Sequence, residues 1–197
     1  MPRTPIIPAM PQFGGSTIIT GGIRLILIDC FETLVEMRGR AYQPRLGVKD
    51  FLTHYASKVG IPVAVVSDAN QAAVDDALRQ AGLATYITRI YHADNAAERL
   101  PDGRARKRLD VPLRDFALRP EQVVFVGDSP LDAEAAQHHK VQFIRVPRSE
   151  DAAFSFASLI TGPSRYRSQE FQATFLNHYL ERKPGSPDAK PDGGDGK

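Results

Sequence analysis

Acidic and hydroxyl side chains follow three apolar runs of this 197-residue chain. Asp29 ends the run GGIRLILID, Ser67 ends PVAVVS, and Asp128 ends VVFVGD. Asp132 follows four residues later, and Lys107 lies between the second and the third run. Carboxylates bind hard divalent cations or attack electrophilic atoms, whereas a hydroxyl and an ammonium group stabilise the negative charge of such an attack. These residue types predict a hydrolytic or group-transfer site if the fold brings them together.

The apolar runs predict the strands of a parallel sheet. They are rich in β-branched residues and nearly continuous, as expected for strands that are buried on both faces. Helical patterns alternate with them, which is typical of a three-layer, doubly wound α/β fold. The runs are 23–28, 62–66, 87–91, 123–126 and 141–146, and the helical patterns are 48–58, 71–81, 112–116 and 130–139.

The ends of these strands indicate where the chemistry lies. Ligands of an open parallel sheet bind beyond the carboxyl ends of its strands. Because Asp29, Ser67 and Asp128 each follow a strand directly, we expect them at one edge of one sheet. A carboxylate after six apolar residues is costly unless it is paired, which favours a functional role for Asp29.

In this order and strand context, the residues resemble the haloacid dehalogenase superfamily of aspartate-nucleophile hydrolases. The pattern of that family is an apolar strand ending in Asp-x-Asp-x-Thr, a strand ending in Ser or Thr, a Lys, and an apolar strand ending in Gly-Asp-x-x-x-Asp. The matching residues are Asp29 with Thr33, Ser67, Lys107, and Asp128 with Asp132. The resemblance spans roughly residues 23 to 146 and implies the Rossmann-like parallel sheet of the family.

The resemblance also implies a role for each residue. Asp29 would be the nucleophile that forms an aspartyl-phosphate, an intermediate that divides one difficult displacement into two easier ones. Ser67 would donate a hydrogen bond to the phosphoryl oxygens, and Lys107 would neutralise charge on the nucleophile and the phosphoryl group. The implied ligands of a Mg²⁺ cofactor are Asp29, the backbone carbonyl of Phe31, Asp128 and Asp132.

Three of these residues also have a structural interpretation. Ser67 could cap the helix that follows it. Asp132 completes a Ser-Pro-x-Asp pattern that caps a helix, a role that it can combine with metal binding. Lys107 lies in the basic stretch RARKR, which as a solvated surface needs no function. Arg104 and Arg106 are the alternatives to Lys107 in that stretch.

Phe31 is the main departure from the family pattern. It stands where the phosphatases of the family carry a second Asp, the general acid that protonates the leaving oxygen and later activates water. A phenyl ring cannot exchange a proton, and general acid-base catalysis is typically worth about 10² to 10⁴ in rate. Glu32 is the nearest substitute, although adjacent residues that leave a strand tend to point apart.

Three functions are compatible with Phe31. The first is a Mg²⁺-dependent phosphatase or phosphotransferase that acts on phosphoric esters or acyl phosphates with good leaving groups. The second is a module that binds Mg²⁺ or a phosphorylated ligand with little turnover. The third is a metal-independent dehalogenase, because halide departure needs no proton. Dehalogenases of the family characteristically lose the Gly-Asp block that this chain keeps.

The spacing of the motifs predicts a member of the family without a large cap domain. Asp29 and Ser67 are 38 positions apart, and Ser67 and Lys107 are 40 apart, and each interval must already hold a helix and loops. An uncovered site excludes water poorly. It admits a phosphorylated small molecule or the phosphate of a macromolecule, such as a nucleic-acid end or a protein side chain.

Composition excludes several classes of protein. Apolar residues make up 42% and charged residues 24%, ordinary values for a globular domain. The net charge of +2 gives no whole-chain signature of nucleic-acid binding. Cys30 is the single cysteine, so no disulfide framework forms within the chain, and we expect it to be a buried apolar residue. No run reaches the ~20 apolar residues of a membrane helix, and prolines interrupt the start of the chain, so we expect a cytoplasmic protein without a membrane span.

We divide the chain into four segments. Residues 1–22 form a leader without helical or strand periodicity, and residues 23–160 form the α/β domain. Residues 161–182 contain a predicted C-terminal helix, and residues 183–197 are nearly free of apolar side chains, which predicts a flexible tail.

The predicted C-terminal helix carries one apolar face. Phe171, Phe175 and Tyr179 fall on that face, which either packs on the sheet domain or contacts a protein partner or the second subunit of a homodimer. The basic stretches at 104–108 and 165–167 are either solvated surface or support for a polyanionic substrate.

Overall fold

Five parallel strands form the central sheet of the molecule. The structure is a computed structural model that describes Ile19, residues 22–150 and residues 154–161. The strands are β1 (Leu25–Ile28), β2 (Val35–Arg38), β3 (Ala41–Pro44), β4 (Val63–Val66), β5 (Ile87–Tyr91), β6 (Ala97–Arg99), β7 (Ala105–Lys107), β8 (Val123–Gly127) and β9 (Gln142–Arg145). The α-helices are α1 (Val48–Leu52), α2 (Gln71–Gln80), α3 (Ala93–Ala96), α4 (Asp110–Asp115), α5 (Pro130–His138) and α6 (Ser158–Thr161). The strand order across the sheet is β5-β4-β1-β8-β9, and each neighbouring pair is parallel.

Helices cover both faces of this sheet, which confirms the predicted three-layer α/β fold. Alternate residues of β1 point to opposite faces: Ile26 and Ile28 belong to one buried cluster, and Leu25 and Leu27 belong to the other. Side chains of α1, α2 and α6 complete the first cluster, and those of α4 and α5 complete the second. Since both faces of β1, β4 and β8 are buried, these strands are continuously apolar in the sequence.

The strands and helices predicted from periodicity between residues 23 and 146 are present, with ends that differ by two residues or fewer. The helix predicted over 48–58 consists of α1 and a π-helical turn, Thr53–Val59. Gly60 ends this turn in the left-handed conformation (φ 78°), and its N–H donates to the Tyr55 carbonyl. Helix α4 begins at Asp110, because Pro112 is tolerated in the first turn of a helix, where no N–H is needed.

Two antiparallel hairpins outside the sheet were not predicted. One pairs β2 with β3 directly after the Asp29 turn, and the other pairs β6 with β7, which ends at Lys107. Their strands are three or four residues long and mostly polar or half-buried, so they lack the apolar runs that reveal the central strands.

Several predictions fall on residues that the structure does not describe. These are most of the leader 1–22, the helix with Phe171, Phe175 and Tyr179, the basic stretch 165–167 and the tail 183–197. Ile19 and Gly22 are described, and Ile19 is buried in the first core cluster. Within the described ranges, no helix combines the length and the apolar character that crossing a membrane requires.

Candidate active site

Asp29, Ser67 and Asp128 lie at the same edge of the sheet, as the sequence predicts. They directly follow β1, β4 and β8, and β1 lies between the other two strands. The hydrogen bonding of the sheet continues past the strand ends: Asp29 N donates to Val126 O at 2.9 Å, and Ser67 N donates to Tyr91 O at 2.9 Å. The backbone from which the candidate side chains project is therefore fixed by the central sheet.

Lys107 is the centre of a buried ionic network at this edge. Its Nζ donates to Asp29 Oδ1 at 2.6 Å and to Asp132 Oδ1 at 2.6 Å, and it lies 3.1 Å from Asp68 Oδ1. The Lys107 side chain is 6% exposed, and that of Asp29 is 9% exposed. An ammonium group has three donors, so three carboxylates can share it. The β6–β7 hairpin thus places the predicted lysine, rather than a neighbouring arginine, beside Asp29.

Asp128 is held by side chains on both of its carboxylate oxygens. Thr33 Oγ1 donates to Oδ1 at 2.9 Å, and Arg148 Nε donates to Oδ2 at 3.1 Å. Thr33, the second matching residue of the first motif, is fully buried, so its hydroxyl orients the Asp128 carboxylate from inside the fold. In metal sites, hydrogen bonds of this kind orient a carboxylate ligand and affect how tightly it binds the metal.

Asp132 caps helix α5 and contacts Lys107 at the same time. Its N–H donates to Ser129 Oγ at 3.1 Å, and its Oδ2 accepts from Ser129 Oγ at 2.8 Å and from Ser129 N at 3.2 Å. The predicted capping role is therefore observed. A Cβ at Gly127 would lie 2.6 Å from Asp132 Oδ2, so the glycine before Asp128 is needed for this close approach.

The donor set of the site fits a hard divalent cation. Asp29, Asp128 and Asp132 each offer a carboxylate oxygen, and these atoms lie within 4.8 Å of one another in a buried position. Oxygen ligands suit Mg²⁺, Ca²⁺ or Mn²⁺ rather than softer metals. Four carboxylates, including Asp68, face two cations, Lys107 and Arg148, so the network carries two excess negative charges when all four carboxylates are ionised.

Burial and the neighbouring charges together determine the protonation of the site. Burial raises the pKa of Asp29 to about 7, against the lowering effect of Lys107, and Asp132 adds to the increase. Burial lowers the pKa of Lys107, but Asp29, Asp132 and Asp68 outweigh burial and raise it well above its usual range. Lys107 is therefore a permanent cation, and a positive charge added beside Asp29 would favour the ionised form of the Asp29 carboxyl group.

Phe31 follows Asp29 in a tight turn. Leu34 N and Val35 N both donate to Cys30 O, at 2.8 and 3.0 Å, which closes the turn. The Phe31 ring is partly buried and meets the Tyr42 ring of β3 edge-on, with centroids 5.4 Å apart. The aromatic residue at this position therefore packs against the β2–β3 hairpin. Cys30 is buried and free, as predicted.

Glu32 is tied to the loop that follows β9. Its carboxylate accepts a hydrogen bond from Ser149 Oγ, and its backbone has a left-handed φ of 58°. The buried Arg45 side chain donates to the Glu32 carbonyl and lies 3.5 Å from the Thr33 carbonyl. No contact between Glu32 and Asp29 appears among the described residues, so the structure gives no support to Glu32 as the substitute acid.

Ser67 does not cap the next helix. Asn70 is the N-cap of α2, and its Oδ1 accepts from Ala73 N at 3.0 Å. Ser67 Oγ accepts from Ala69 N at 3.3 Å and is buried at the sheet edge. Within the described part of the chain, its O–H donates to no other group, so it is available to an oxygen atom in the site.

The basic stretch around Lys107 is neutralised by nearby acids. Arg104 pairs with Asp102 and Glu134, Arg106 pairs with Glu98, and Arg108 pairs with Asp110, all at 2.6 to 2.9 Å. These arginines form a mixed-charge surface, which weakens the interpretation of the stretch as a polyanion-binding patch and excludes Arg104 and Arg106 as alternatives to Lys107 beside Asp29.

Sequence reasoning missed three members of the site. Asp68 shares the Lys107 ammonium, Arg148 binds Asp128, and Arg45 secures the turn after Asp29. Two of them had a signal, because Asp68 and Arg148 both lie within three residues after a strand of the sheet. Arg45 had none, because it acts through backbone carbonyls that no sequence pattern identifies.

The parallel sheet carries a buried acid, a lysine and a Gly-Asp block at its carboxyl edge, which defines an α/β protein with an aspartate-centred site. The model of the family described as haloacid dehalogenase-like hydrolase matches residues 26–146. The chain belongs to this family.

Solved structures with low sequence identity share the fold of this chain. A hydrolase of the superfamily, subfamily IA, variant 1, from Geobacter sulfurreducens is 15% identical with a TM-score of 0.51, covering 64% of this chain and 93% of its own. A structure described as a predicted phosphoglycolate phosphatase from Haemophilus somnus is 15% identical with a TM-score of 0.54, and the match covers 70% of this chain and 91% of that protein. CbbY from Rhodobacter sphaeroides, in complex with xylulose-(1,5)-bisphosphate, is 17% identical with a TM-score of 0.53, and the match covers 68% of this chain and 91% of that protein. No curated protein matches the chain.

Proposed function

We propose that this protein is a Mg²⁺-dependent phosphatase or phosphotransferase that acts through an aspartyl-phosphate on Asp29. The main support is the contact of 2.6 Å between Lys107 Nζ and Asp29 Oδ1 inside a buried group of carboxylates. The second oxygen of Asp29 accepts no hydrogen bond from the described residues, which leaves one oxygen of the carboxylate for attack.

The reaction requires two displacements at phosphorus. One oxygen of Asp29 attacks the phosphorus atom, and the bond to the leaving oxygen breaks with its electron pair on that oxygen. Water then attacks the phosphorus of the aspartyl-phosphate and loses a proton to solvent, which releases inorganic phosphate and restores the carboxylate. The positive charge of Lys107 and the Ser67 hydroxyl stabilise the phosphoryl oxygens in both steps.

Mg²⁺ fits the oxygen ligands of the proposed site, and its positive charge offsets the excess of negative charge there. Asp29, Asp128, Asp132 and the Phe31 carbonyl would hold the ion, which supplies positive charge against the repulsion between carboxylate and phosphate. Asp132 would take part while it remains bonded to Lys107 and Ser129. Thr33 and Arg148 keep the Asp128 carboxylate oriented toward the same point.

Phe31 limits the substrates to those with good leaving groups. The position of the general acid carries a ring that packs on Tyr42, so a departing oxygen must leave without a protein proton. Aryl phosphates and acyl phosphates satisfy this condition better than alkyl phosphates. The alternative, a module that binds Mg²⁺ or a phosphorylated ligand with little turnover, follows from the same residue and is an outcome of the test.

We also propose that the site is not covered by a large cap domain. Between Asp29 and Ser67, the described chain forms the β2–β3 hairpin, α1 and the π-helical turn, and between Ser67 and Lys107 it forms α2, β5, α3 and the β6–β7 hairpin. None of these is a separate domain. Substrates as large as a phosphorylated macromolecule would then reach Asp29.

The test is hydrolysis of p-nitrophenyl phosphate with and without MgCl₂. We expect Mg²⁺-dependent turnover that Asp29→Asn abolishes, and that Glu121→Gln, at the opposite edge of the sheet, leaves unchanged. Equal rates in wild type and Asp29→Asn would refute the nucleophile. Binding of phosphate and Mg²⁺ without turnover would favour the binding module, and metal-independent loss of halide from a 2-haloacid would favour a dehalogenase.

A further inference from the structure

Arg148 is a second cation of the site, and the proposed reaction does not use its charge. It lies three residues after β9, at the sheet edge that carries Asp29 and Asp128. Its Nε donates to the buried Asp128 Oδ2 at 3.1 Å, but its side chain is 60% exposed, whereas that of Lys107 is 6% exposed. Lys107 therefore lies at the floor of the site, and Arg148 lies at its mouth.

The loop that carries Arg148 is fixed to the turn that follows Asp29. The Arg148 carbonyl accepts from Arg45 Nη2 at 3.1 Å, and the same guanidinium binds the carbonyl of Glu32. The next residue, Ser149, donates its hydroxyl to the Glu32 carboxylate. The Arg148 backbone is thus held in place before a ligand binds, which lowers the entropy cost of binding.

Arg148 keeps most of its donors for a ligand. Nε makes its one contact within the described part of the chain, so the two Nη groups face solvent at the mouth of the site. A guanidinium fork of this kind binds a carboxylate or a phosphate through two parallel hydrogen bonds. The donors of Lys107, in contrast, are taken by three carboxylates.

We propose that Arg148 determines substrate specificity by binding a second oxyanion of the substrate, a carboxylate or another phosphate that is not transferred. The inference rests on the proposed function. If the phosphoryl group of a substrate is bound at Asp29, the rest of the substrate extends toward the mouth of the site, where Arg148 lies. Asp29 and Asp128 offer oxygens within 4.8 Å of each other, and Arg148 Nε lies 3.1 Å from Asp128. The two anionic groups of the substrate are therefore separated by a few bonds, which points to small phosphorylated acids or bisphosphates.

Calorimetric binding of phosphonates tests this role without turnover. The probes are methylphosphonate, phosphonoacetate and 3-phosphonopropionate, at a MgCl₂ concentration shown to saturate each variant. We expect wild type to bind at least one carboxylated probe about tenfold more tightly than methylphosphonate. Arg148→Gln should reduce this ratio to within about twofold, because the carboxylated probe loses a contact that methylphosphonate never makes.

Two further variants make the result specific to the guanidinium. Arg148→Lys keeps the charge but not the fork and should give an intermediate ratio, which also serves as the test if Arg148→Gln does not fold. Arg24→Gln, directly before β1 at the opposite edge of the sheet, should keep the wild-type ratio. The proposal is overturned if wild type prefers neither carboxylated probe, if the preference survives in Arg148→Gln, or if that variant loses affinity for all three probes equally. Failure of the proposed function would be seen separately, as absent hydrolysis of p-nitrophenyl phosphate, while the phosphonate affinities would still report on Arg148.

Discussion

Three carboxylates share the buried ammonium group of Lys107. These contacts hold the residues of the candidate site together and leave an excess of negative charge among them. The ammonium group contacts the carboxylates of Asp29, Asp132 and Asp68, but its single positive charge cannot balance their three negative charges. Burial raises the pKa of Asp29 against the lowering effect of Lys107, and Asp132 and Asp68 add to the increase. Additional positive charge at the site would favour the ionised carboxylate. In the proposed reaction, a cation would offset the repulsion between these carboxylates and the phosphoryl group.

Removal of the Lys107 ammonium should affect activity and stability together. In Lys107→Met, we expect hydrolysis of p-nitrophenyl phosphate to fall by about 10² to 10³, the usual effect of losing one charged donor to a developing negative charge. The metal-free variant should also lose about 3 kcal/mol of unfolding free energy, because buried carboxylates lose their partner. Steady-state kinetics and urea unfolding measure the two effects. The exposed Lys49→Met is the matched control, and an equally active Lys107→Met would contradict the role of the ammonium.

Restoring a carboxyl group at position 31 should extend the substrate range. Phe31→Asp is expected to raise the turnover of alkyl phosphates at least about tenfold, because a proton donor then lies two residues from the nucleophile. The variant should lose about 1 kcal/mol of stability with the Phe31–Tyr42 ring contact. Phe31→Asn makes the same structural change without a titratable proton. Equal alkyl phosphate rates in the Asp and Asn variants would show that proton transfer does not limit the reaction.

The residues of the candidate site lie at the ends of the secondary structure elements. Strands β1, β4 and β8 end at one edge, the N-terminus of α5 brings in Asp132, and the β6–β7 hairpin delivers Lys107. The turn after β1 is closed by hydrogen bonds to Cys30 and held by the Arg45 guanidinium. Each functional side chain therefore has a backbone anchor that is independent of the others.

The C-terminal end of α5 should make folding stability sensitive to acid. His139 Nε2 is buried without a hydrogen-bond partner among the described residues, and Asp110 Oδ1 lies 3.9 Å away. Burial lowers the pKa of His139 below 6.5, outweighing the opposite effect of Asp110, while His138 and Arg106 lower it further and Glu98 raises it slightly. Below pH 6.5 the unfolded chain binds this proton before the folded protein does, so stability is present above that pH and is lost as pH falls through the folded pKa.

His139→Gln tests this acid sensitivity. Urea unfolding at pH 7.5 and at pH 5.0 should show a smaller loss of stability for the variant than for wild type. An identical acid-induced loss in both proteins would assign the effect to other groups.

The central sheet could be predicted from the sequence because its strands are buried on both faces. A continuous apolar run such as 63–66 is typical of a strand that helices cover on both sides, and the residue after the run marks the edge of the sheet. The β2–β3 and β6–β7 hairpins could not be predicted, because their short, half-exposed strands are fixed by what they contact rather than by periodicity.

The site was predictable where chemistry depends on residue type and order, as for Asp29, Ser67, Lys107 and Asp128. Asp68 and Arg148 carry only the weaker signal of lying within three residues after a strand, and the structure is needed to show which charged group each of them contacts. Asp132 shows a further limit of prediction from sequence. Its carboxylate both caps a helix and contacts Lys107, and the sequence pattern alone does not show which of these contacts forms.

The whole molecule should respond to divalent cations through the excess charge of this one site. At about 100-fold excess over the dissociation constant, a ligand that binds only the folded state stabilises it by about 2.7 kcal/mol. For a protein of this size, that corresponds to a rise in Tm of roughly 5 to 10 °C. Thermal unfolding with and without MgCl₂ measures the shift. Asp128→Asn should lose it, and the same shift in wild type and Asp128→Asn would place the cation elsewhere.

Capture of the covalent intermediate tests the nucleophile most directly. Wild-type protein with Mg²⁺ is mixed with ³²P-labelled p-nitrophenyl phosphate, quenched in acid within the first turnover, digested and mapped. We predict a hydroxylamine-sensitive label on the peptide that contains Asp29, absent from Asp29→Asn and present in Glu121→Gln. Turnover that leaves no label at residue 29, or a label on another residue, would contradict the account.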